Sequence, residues 1–252
     1  MPADTTQDAV LGGRLVLAQP RRGHRVGHDA ILLAAATPAR PGEHVVELGA
    51  GVGAAGLALA RRVTDLTVTL VEIDPALAAL ARRNAEANGL AARVRSVALD
   101  VTAPAAAFTA AGLAPQSAAR VLMNPPFNDP RQVSADPARR RAHAAQPGTL
   151  AIWAKRADRL LVPGGTLTLI WRADGLAHVL GALGRGFGGL AVLPVHPAPA
   201  AAAIRVLVHA VKGSRAPLAL LPPLVLNCAE GGPTATAEAV LREGGTLPLA
   251  HL

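Results

Sequence analysis

The feature that most constrains this chain is one continuous passage. Glu43-His44-Val45-Val46-Glu47-Leu48 runs directly into Gly49-Ala50-Gly51-Val52-Gly53-Ala54-Ala55-Gly56 and on to Arg62. The short apolar, β-branched run predicts a buried strand, and the stretch after the glycines predicts a helix. Glycine at four of eight positions lets the backbone turn sharply and approach a ligand closely. A strand, a glycine turn and a helix form the first half of a βαβ unit, which a parallel strand must complete. Thr67 to Glu72 supplies that strand. Asp74 then predicts an N-cap with Pro75 at the first helical position, in a helix that Asn88-Gly89 stops after Ala87.

The same alternation continues. Arg93 to Leu99 reads as a third strand ending at Asp100, and residues 102–119 as a short irregular helix or loop. Val121-Leu122-Met123 forms a fourth strand that halts at Asn124-Pro125-Pro126-Phe127, because two prolines cannot continue a ladder. Residues 128–148 are polar and basic and read as a mobile flap. Leu150 to Leu161 has helical spacing, Pro163-Gly164-Gly165 marks a turn, and Thr166 to Trp171 alternates as a fifth strand. A helix from about Asp174 to Leu183 precedes two strands, Leu190–Val195 and Ile204–Val211, that suit a hairpin. Upstream, residues 1–10 read as a mobile tail, Arg14 to Ala18 as a strand, and Asp29 as the cap of a helix through Ala36. The fold class is therefore α/β, a doubly wound, mostly parallel sheet with an antiparallel edge hairpin. The expected organisation is a basic arm over 1–28, a central domain over 29–212 and a C-terminal extension over 213–252 packed on it.

Composition narrows the function classes. The chain has 252 residues, 51% hydrophobic, and no uninterrupted apolar run near the ~20 residues a membrane helix needs. The N-terminus lacks a signal-peptide pattern. A single cysteine, Cys228, excludes an internal disulfide and a zinc site built from several thiolates. A soluble cytoplasmic protein with no membrane partner is expected, as a monomer or a homodimer. Lys plus Arg number 25 against 17 for Asp plus Glu, a net +8 that suits a polyanionic partner. The cations cluster in two places: Arg21, Arg22 and Arg25 with His24 and His28, and Arg131 with Arg139, Arg140 and Arg141. Each cluster is either a solvated surface or a phosphate-contacting patch.

Three carboxylates fall at three successive strand ends beside the glycine turn. The glycine spacing alone, Gly51, Gly53 and Gly56, would equally suit a dinucleotide. Glu47, however, precedes Gly49 by two residues, where it would repel a pyrophosphate and attract an ammonium group. Glu72 can take both hydroxyls of a ribose, and Asp100 can accept from an adenine amine. A nucleoside with a cationic amino-acid tail answers all of these together, and S-adenosylmethionine is that molecule. Asp74 is explained by helix capping alone. The fourth strand end adds a different chemistry: the Asn124 amide both donates and accepts, and the Phe127 ring offers a stacking face. That pair suits a planar group carrying an exocyclic amine.

Glu-Leu-Gly-Ala-Gly-Val-Gly (47–53), Val-Glu-Ile-Asp-Pro (71–75) and Asn-Pro-Pro-Phe (124–127) resemble the class I methyltransferases that act on amino nitrogens. Within their small-domain family, the chain is most similar to the bacterial tRNA1(Val) adenine-37 N6-methyltransferase group. Residues 19–33 resemble that group's N-terminal segment, which covers the cofactor site. The resemblance implies a Rossmann-like fold, S-adenosylmethionine as cofactor with S-adenosylhomocysteine as product, and no metal. It implies a cofactor site of Asp29, Glu47, Gly49, Gly51, Gly53, Glu72, Ile73, Asp100, Val101 and Asn124. It further implies a catalytic set of Asn124, Pro125, Pro126 and Phe127: the Asn124 oxygen and the Pro125 carbonyl accept the amine's hydrogens, and Phe127 stacks on a flipped base. The implied substrate is an exocyclic amine of RNA, foremost N6 of an adenine in tRNA, with Arg21, Arg22, Arg25, Arg139, Arg140 and Arg141 contacting the RNA. Methyltransferases acting on guanine N2 of rRNA or on a protein glutamine share the Asn-Pro-Pro-Phe motif, so these are the alternative acceptors. A non-catalytic RNA-binding protein on the same fold and a nicotinamide oxidoreductase are the more distant alternatives.

Overall fold

The structure is a computed structural model that describes residues 5–22, 25–126 and 148–252. Phe127, Arg131, Arg139, Arg140, Arg141, His24 and His143 lie outside the described residues. The chain opens with β1 (Thr5–Val10) and β2 (Leu15–Pro20), an antiparallel hairpin, followed by α1 (His28–Ala36). The alternating units are β3 (His44–Leu48), α2 (Ala54–Arg62), β4 (Thr67–Glu72), α3 (Pro75–Ala87), β5 (Val94–Ala98), α4 (Ala105–Ala110) and β6 (Ala118–Met123). Then come α5 (Thr149–Leu160), β7 (Leu161–Arg172), α6 (Leu176–Leu183), β8 (Phe187–His196) and β9 (Arg205–Lys212). The C-terminal segment adds β10 (Ala219–Leu220), β11 (Leu224–Val225) and α7 (Ala235–Glu243).

The main sheet runs in the order β10-β8-β9-β7-β6-β3-β4-β5, with β11 also paired to β8. Strands β3 to β7 are parallel to one another, while β9 is antiparallel to both β7 and β8. The doubly wound, mostly parallel sheet with an antiparallel pair is thus borne out, and β10 and β11 extend it beyond that pair in parallel with β8. The two faces carry separate cores. On one, Leu32 and Leu33 of α1, Leu57 and Leu59 of α2 and Ala81 of α3 pack with Val45, Leu70 and Leu122 of the sheet. On the other, Phe108 of α4, Trp153 and Leu160 of α5 and Val179 of α6 pack with Val46, Leu48 and Val121. Strand alternation sends successive residues to opposite faces, so β3 feeds both cores.

Three local expectations need correction. Residues 5–10 are not a loose tail but the first strand of the hairpin, paired in register from Thr5–Pro20 to Val10–Leu15. The strand is mostly polar, Thr-Thr-Gln-Asp-Ala-Val, so it carries little apolar signal. Asp29 does not cap α1: the helix starts at His28 after Gly27, and no side chain caps it. The Asp29 carboxylate instead accepts from Arg205 Nε of β9 at 2.8 Å. The Pro163-Gly164-Gly165 turn lies inside β7 as an irregularity, because the register steps from Ala118–Leu161 to Arg120–Thr166.

Candidate cofactor and acceptor site

Strand order reverses at β3. The chain leaves β3 outward to β4 and β5, then returns to place β6 on the opposite side. Open α/β sheets bind ligands at such a switch point, outside the carboxyl ends of the strands. Here the ends align: Leu48 pairs with both Met123 of β6 and Val71 of β4, and Glu72 pairs with Ala98 of β5. Gly49, Asn124, Glu72 and, two residues past β5, Asp100 therefore emerge along one edge of the sheet.

The glycine loop is fixed by its own backbone. The Gly49 and Ala50 amides both donate to the Val71 carbonyl at 2.9 Å, and the Gly53 amide donates to the Ala50 carbonyl at 2.8 Å. Gly49 has a φ of 71°, and a methyl group there would stand 2.5 Å from Trp153 Cη2. Both the left-handed backbone and the overlying α5 ring demand glycine. Gly56 is required for a different reason, since a methyl group would stand 2.4 Å from Leu70 Cδ2 and 2.7 Å from Glu47 Oε2.

The carboxylates at the strand ends divide by what they hold. Glu47 is buried beneath the loop, where its Oε2 accepts from the Gly56 amide at 2.7 Å. Burial pushes its carboxyl up to about 8, the Gly56 amide opposes this, and the nearby Glu72 adds to the rise. Glu47 is thus tucked into the first turn of α2 rather than presented at the strand tip. Glu72 is also buried: its Oε2 accepts from the Gly51 amide at 2.7 Å and its Oε1 from the Asp74 amide at 3.0 Å. A carboxylate has about four acceptor positions, so Glu72 keeps capacity for further donors. Asp100 is half-buried and accepts from the Thr102 amide at 2.7 Å. Asp74 caps α3, accepting from the Ala76 amide at 2.8 Å, as its sequence context predicts. Ile73, beside Glu72, is 49% exposed and offers an apolar face at the mouth of the crevice. Val101 is buried.

At the end of β6 the situation differs. The Asn124 Oδ1 atom is buried without a hydrogen-bond partner among the described residues. Pro125 is buried and Pro126 half-buried. Leaving such an acceptor unmet costs about 1–3 kcal/mol, which an incoming donor would recover.

Three contributors to the site escaped the sequence reading. Trp153 lies on Gly49. Arg156, one turn along α5, donates from Nε to the Val101 carbonyl at 3.2 Å and from Nη2 to the Ala103 carbonyl. Its guanidinium lies 4.0 Å from the centroid of the Phe108 ring. Helix α5 thereby braces both the glycine loop and the loop after Asp100. Asn84 of α3 donates to the Val52 carbonyl within the glycine loop at 3.0 Å. An asparagine on the apolar stripe of Ala78, Ala81 and Ala85 was the one available signal.

Of the basic residues, Arg21 and Arg22 are exposed just past β2. Arg25 is committed to the hairpin, with an ion pair to Asp8 at 2.7 Å and a bond to Thr6 at 3.1 Å. Among the described residues no group of His, Cys, Asp or Glu could hold a metal ion, and no helix is long and apolar enough to cross a membrane.

Comparisons with known proteins agree with this geometry. A tRNA1(Val) (adenine(37)-N6)-methyltransferase of Cronobacter sakazakii is 37% identical over 128 residues, covering 50% of this chain and 49% of that protein. One from Porphyromonas gingivalis is 31% identical over 156 residues, covering 60% of each. The chain thus spans roughly half to three-fifths of these relatives. A predicted O-methyltransferase from Agrobacterium tumefaciens superimposes with a TM-score of 0.74 at 34% identity, covering 87% of this chain and 98% of that one. A Thermus thermophilus 16S rRNA guanine N2 methyltransferase, solved with S-adenosylmethionine and guanosine, shares the fold with a TM-score of 0.59 at 22% identity over 84% of this chain and 51% of that one. The model of the methyltransferase small domain matches residues 24–196, from the loop before α1 to the end of β8. On that match the chain belongs to the methyltransferase small-domain family.

Proposed function

We propose that this chain transfers a methyl group from S-adenosylmethionine to an exocyclic amine of RNA, with N6 of an adenine in tRNA as the first candidate. The observation that carries the reading is the buried Asn124 Oδ1, without a partner among the described residues, at the switch point one strand from Gly49. The donor set also fits the cofactor. Glu72 retains acceptor capacity for ribose hydroxyls, Asp100 for an adenine amine, and Ile73 supplies an apolar face for a base. Gly49, Gly51 and Gly53 leave alternate positions of the loop without side chains, Glu47 and Val101 are buried, and Asp29 is paired with Arg205.

When bound, S-adenosylmethionine supplies a methyl group on a cationic sulfur. An amine conjugated to a ring is a weak nucleophile, because its electron pair is shared with the ring. Asn124 Oδ1 and the Pro125 carbonyl accept its two hydrogens and turn that pair toward the methyl carbon. Transfer would form the nitrogen–carbon bond as the cofactor's carbon–sulfur bond breaks, and would leave the nitrogen positive. The same two acceptors hold its now more acidic hydrogens until one passes to water. Hydrogen bonds to charged groups are worth about 1.5–3 kcal/mol each, so the acceptors act more strongly at the transition state than before it. Pro126 stiffens the loop, and Phe127 stacks on the extracted base.

The adenine and tRNA assignment rests on the names of the relatives and on the exposed Arg21 and Arg22, with Arg139, Arg140 and Arg141 as further phosphate contacts. The Agrobacterium relative raises oxygen as an acceptor. A hydroxyl must surrender its only proton to a base, and Asn124, Pro125 and Pro126 supply none, which favours nitrogen. Incubation with labelled S-adenosylmethionine and total tRNA, rRNA or release factor, followed by digestion and mass spectrometry, tests the reading. N6-methyladenosine from tRNA is the expected product; methylation of guanine N2 would replace the adenine assignment, and methylation only of glutamine or an oxygen would overturn the reading.

A further inference from the structure

The N-terminal hairpin docks on α3 through two side chains that imitate a strand. The backbone edge of β2 that faces away from β1 meets Asn84 and Asn88, one helical turn apart. Asn84 Oδ1 accepts from the Ala18 amide at 2.8 Å, and its Nδ2 donates to the Ala18 carbonyl at 3.0 Å. Asn88 does the same for Val16, accepting from its amide at 3.0 Å and donating to its carbonyl at 2.8 Å. The spacing matches, because four residues of helix rise ~6 Å and two residues of strand ~6.6 Å. The two asparagines differ in one respect. The second hydrogen of Asn84 Nδ2 reaches the Val52 carbonyl of the glycine loop at 3.0 Å, whereas that of Asn88 returns to the Asn84 carbonyl at 2.7 Å. Asn84 is 1% exposed, and both of its donors and one acceptor position are divided between the hairpin and the loop.

Val52 follows Gly51, whose amide is held by Glu72, and precedes Gly53. Any ligand that fixes this loop therefore also fixes one of the contacts of Asn84. Strand β2 runs on from Ala18 through Gln19 and Pro20 to Arg21 and Arg22. Gln19 closes the following turn, accepting from the Val26 amide at 2.9 Å and donating to Asp8 at 2.8 Å. The docked strand thus leads directly into Arg21 and Arg22.

We propose that Asn84 is a positioning residue that couples the cofactor loop to the N-terminal hairpin, so that cofactor binding tightens the docking of β2 and the docked hairpin tightens cofactor binding. The inference rests on the reading that the glycine loop holds S-adenosylmethionine. Coupling between sites is reciprocal in binding free energy. Asn88 docks the same strand without touching the loop and serves as the internal control.

The test is hydrogen exchange of the β2 peptide in the full chain, with and without saturating S-adenosylhomocysteine, alongside calorimetric binding. In the wild type the product should slow β2 exchange about five-fold or more. Asn84→Ala should abolish that product-dependent slowing and raise the product's Kd about three- to ten-fold. Asn88→Ala should speed β2 exchange in both states yet keep the slowing and leave the Kd within about two-fold. A purely structural Asn84 would change baseline exchange without creating any dependence on the product. Binding with unchanged β2 exchange in the wild type would overturn the coupling alone, and that measurement needs no variant to fold. Absence of product binding would overturn the cofactor reading and the coupling with it.

Discussion

The two halves of the crevice are built on opposite terms. The glycine loop is internally satisfied: its amides go to Val71, Ala50 and Glu72, its Val52 carbonyl goes to Asn84, and the Trp153 ring closes over Gly49. The Asn-Pro-Pro tip, one strand away, holds a buried acceptor with no described partner. A satisfied loop is shaped before a ligand arrives, so a ligand need only tighten contacts already made, that of Val52 with Asn84 among them. An unmet acceptor stores a cost that only a matching donor removes. The first half is therefore suited to holding a resident molecule, the second to selecting one that donates.

The largest effect should come from breaking the second half alone. Asn124→Ala should lower kcat by about 10²- to 10³-fold, the range seen when one transition-state hydrogen bond is lost. Its Kd for S-adenosylhomocysteine should stay within about three-fold of wild type, checked by calorimetry. Breaking the first half should invert that pattern. Glu72→Ala removes the anchor of Gly51 and a candidate ribose acceptor, and should raise the Kd about 10- to 100-fold. Gly49→Ala sets a methyl group against Trp153 at a φ of 71°. It should weaken cofactor binding and also destabilise the fold by about 1–3 kcal/mol, read from denaturant unfolding.

Much of this contrast can be read in the sequence, and the rest could not be. The β3–glycine–α2 passage, the Asp74-Pro75 helix start and the proline stop after Met123 are local signals, and the structure keeps each of them. The orientation of Glu47 is not local. Strand alternation places it on the face of Val45, but which helix covers that face is decided by topology, and α2 does. The braces Trp153 and Arg156 lie more than 50 residues from the backbone they contact. The β1 strand was missed because its polar residues need only a hairpin partner, not a core.

The smallest effect sharpens the role of Glu47. Its carboxyl is pushed up to about 8 in the fold from the ordinary glutamate value of 4.5. The stability it contributes is fully present below pH 4.5 and is lost as pH rises through about 8, because the unfolded carboxyl ionises first. Glu47→Gln keeps the acceptor for Gly56 but cannot ionise. Between about pH 5 and pH 8.5 the wild-type Tm should fall relative to that variant, as followed by calorimetry. Equal pH dependence in the two would mean that Glu47 is already ionised in the fold.

The role proposed for Asn124 is to receive an amine of RNA. Its most direct measurement is nucleoside mass spectrometry of unmodified tRNA after reaction with the wild type and with Asn124→Ala at matched cofactor saturation. The expected result is N6-methyladenosine from the wild type and a product yield reduced at least about 100-fold in the variant. Wild-type-like yield from Asn124→Ala, or methyl groups carried only on oxygen, would contradict it.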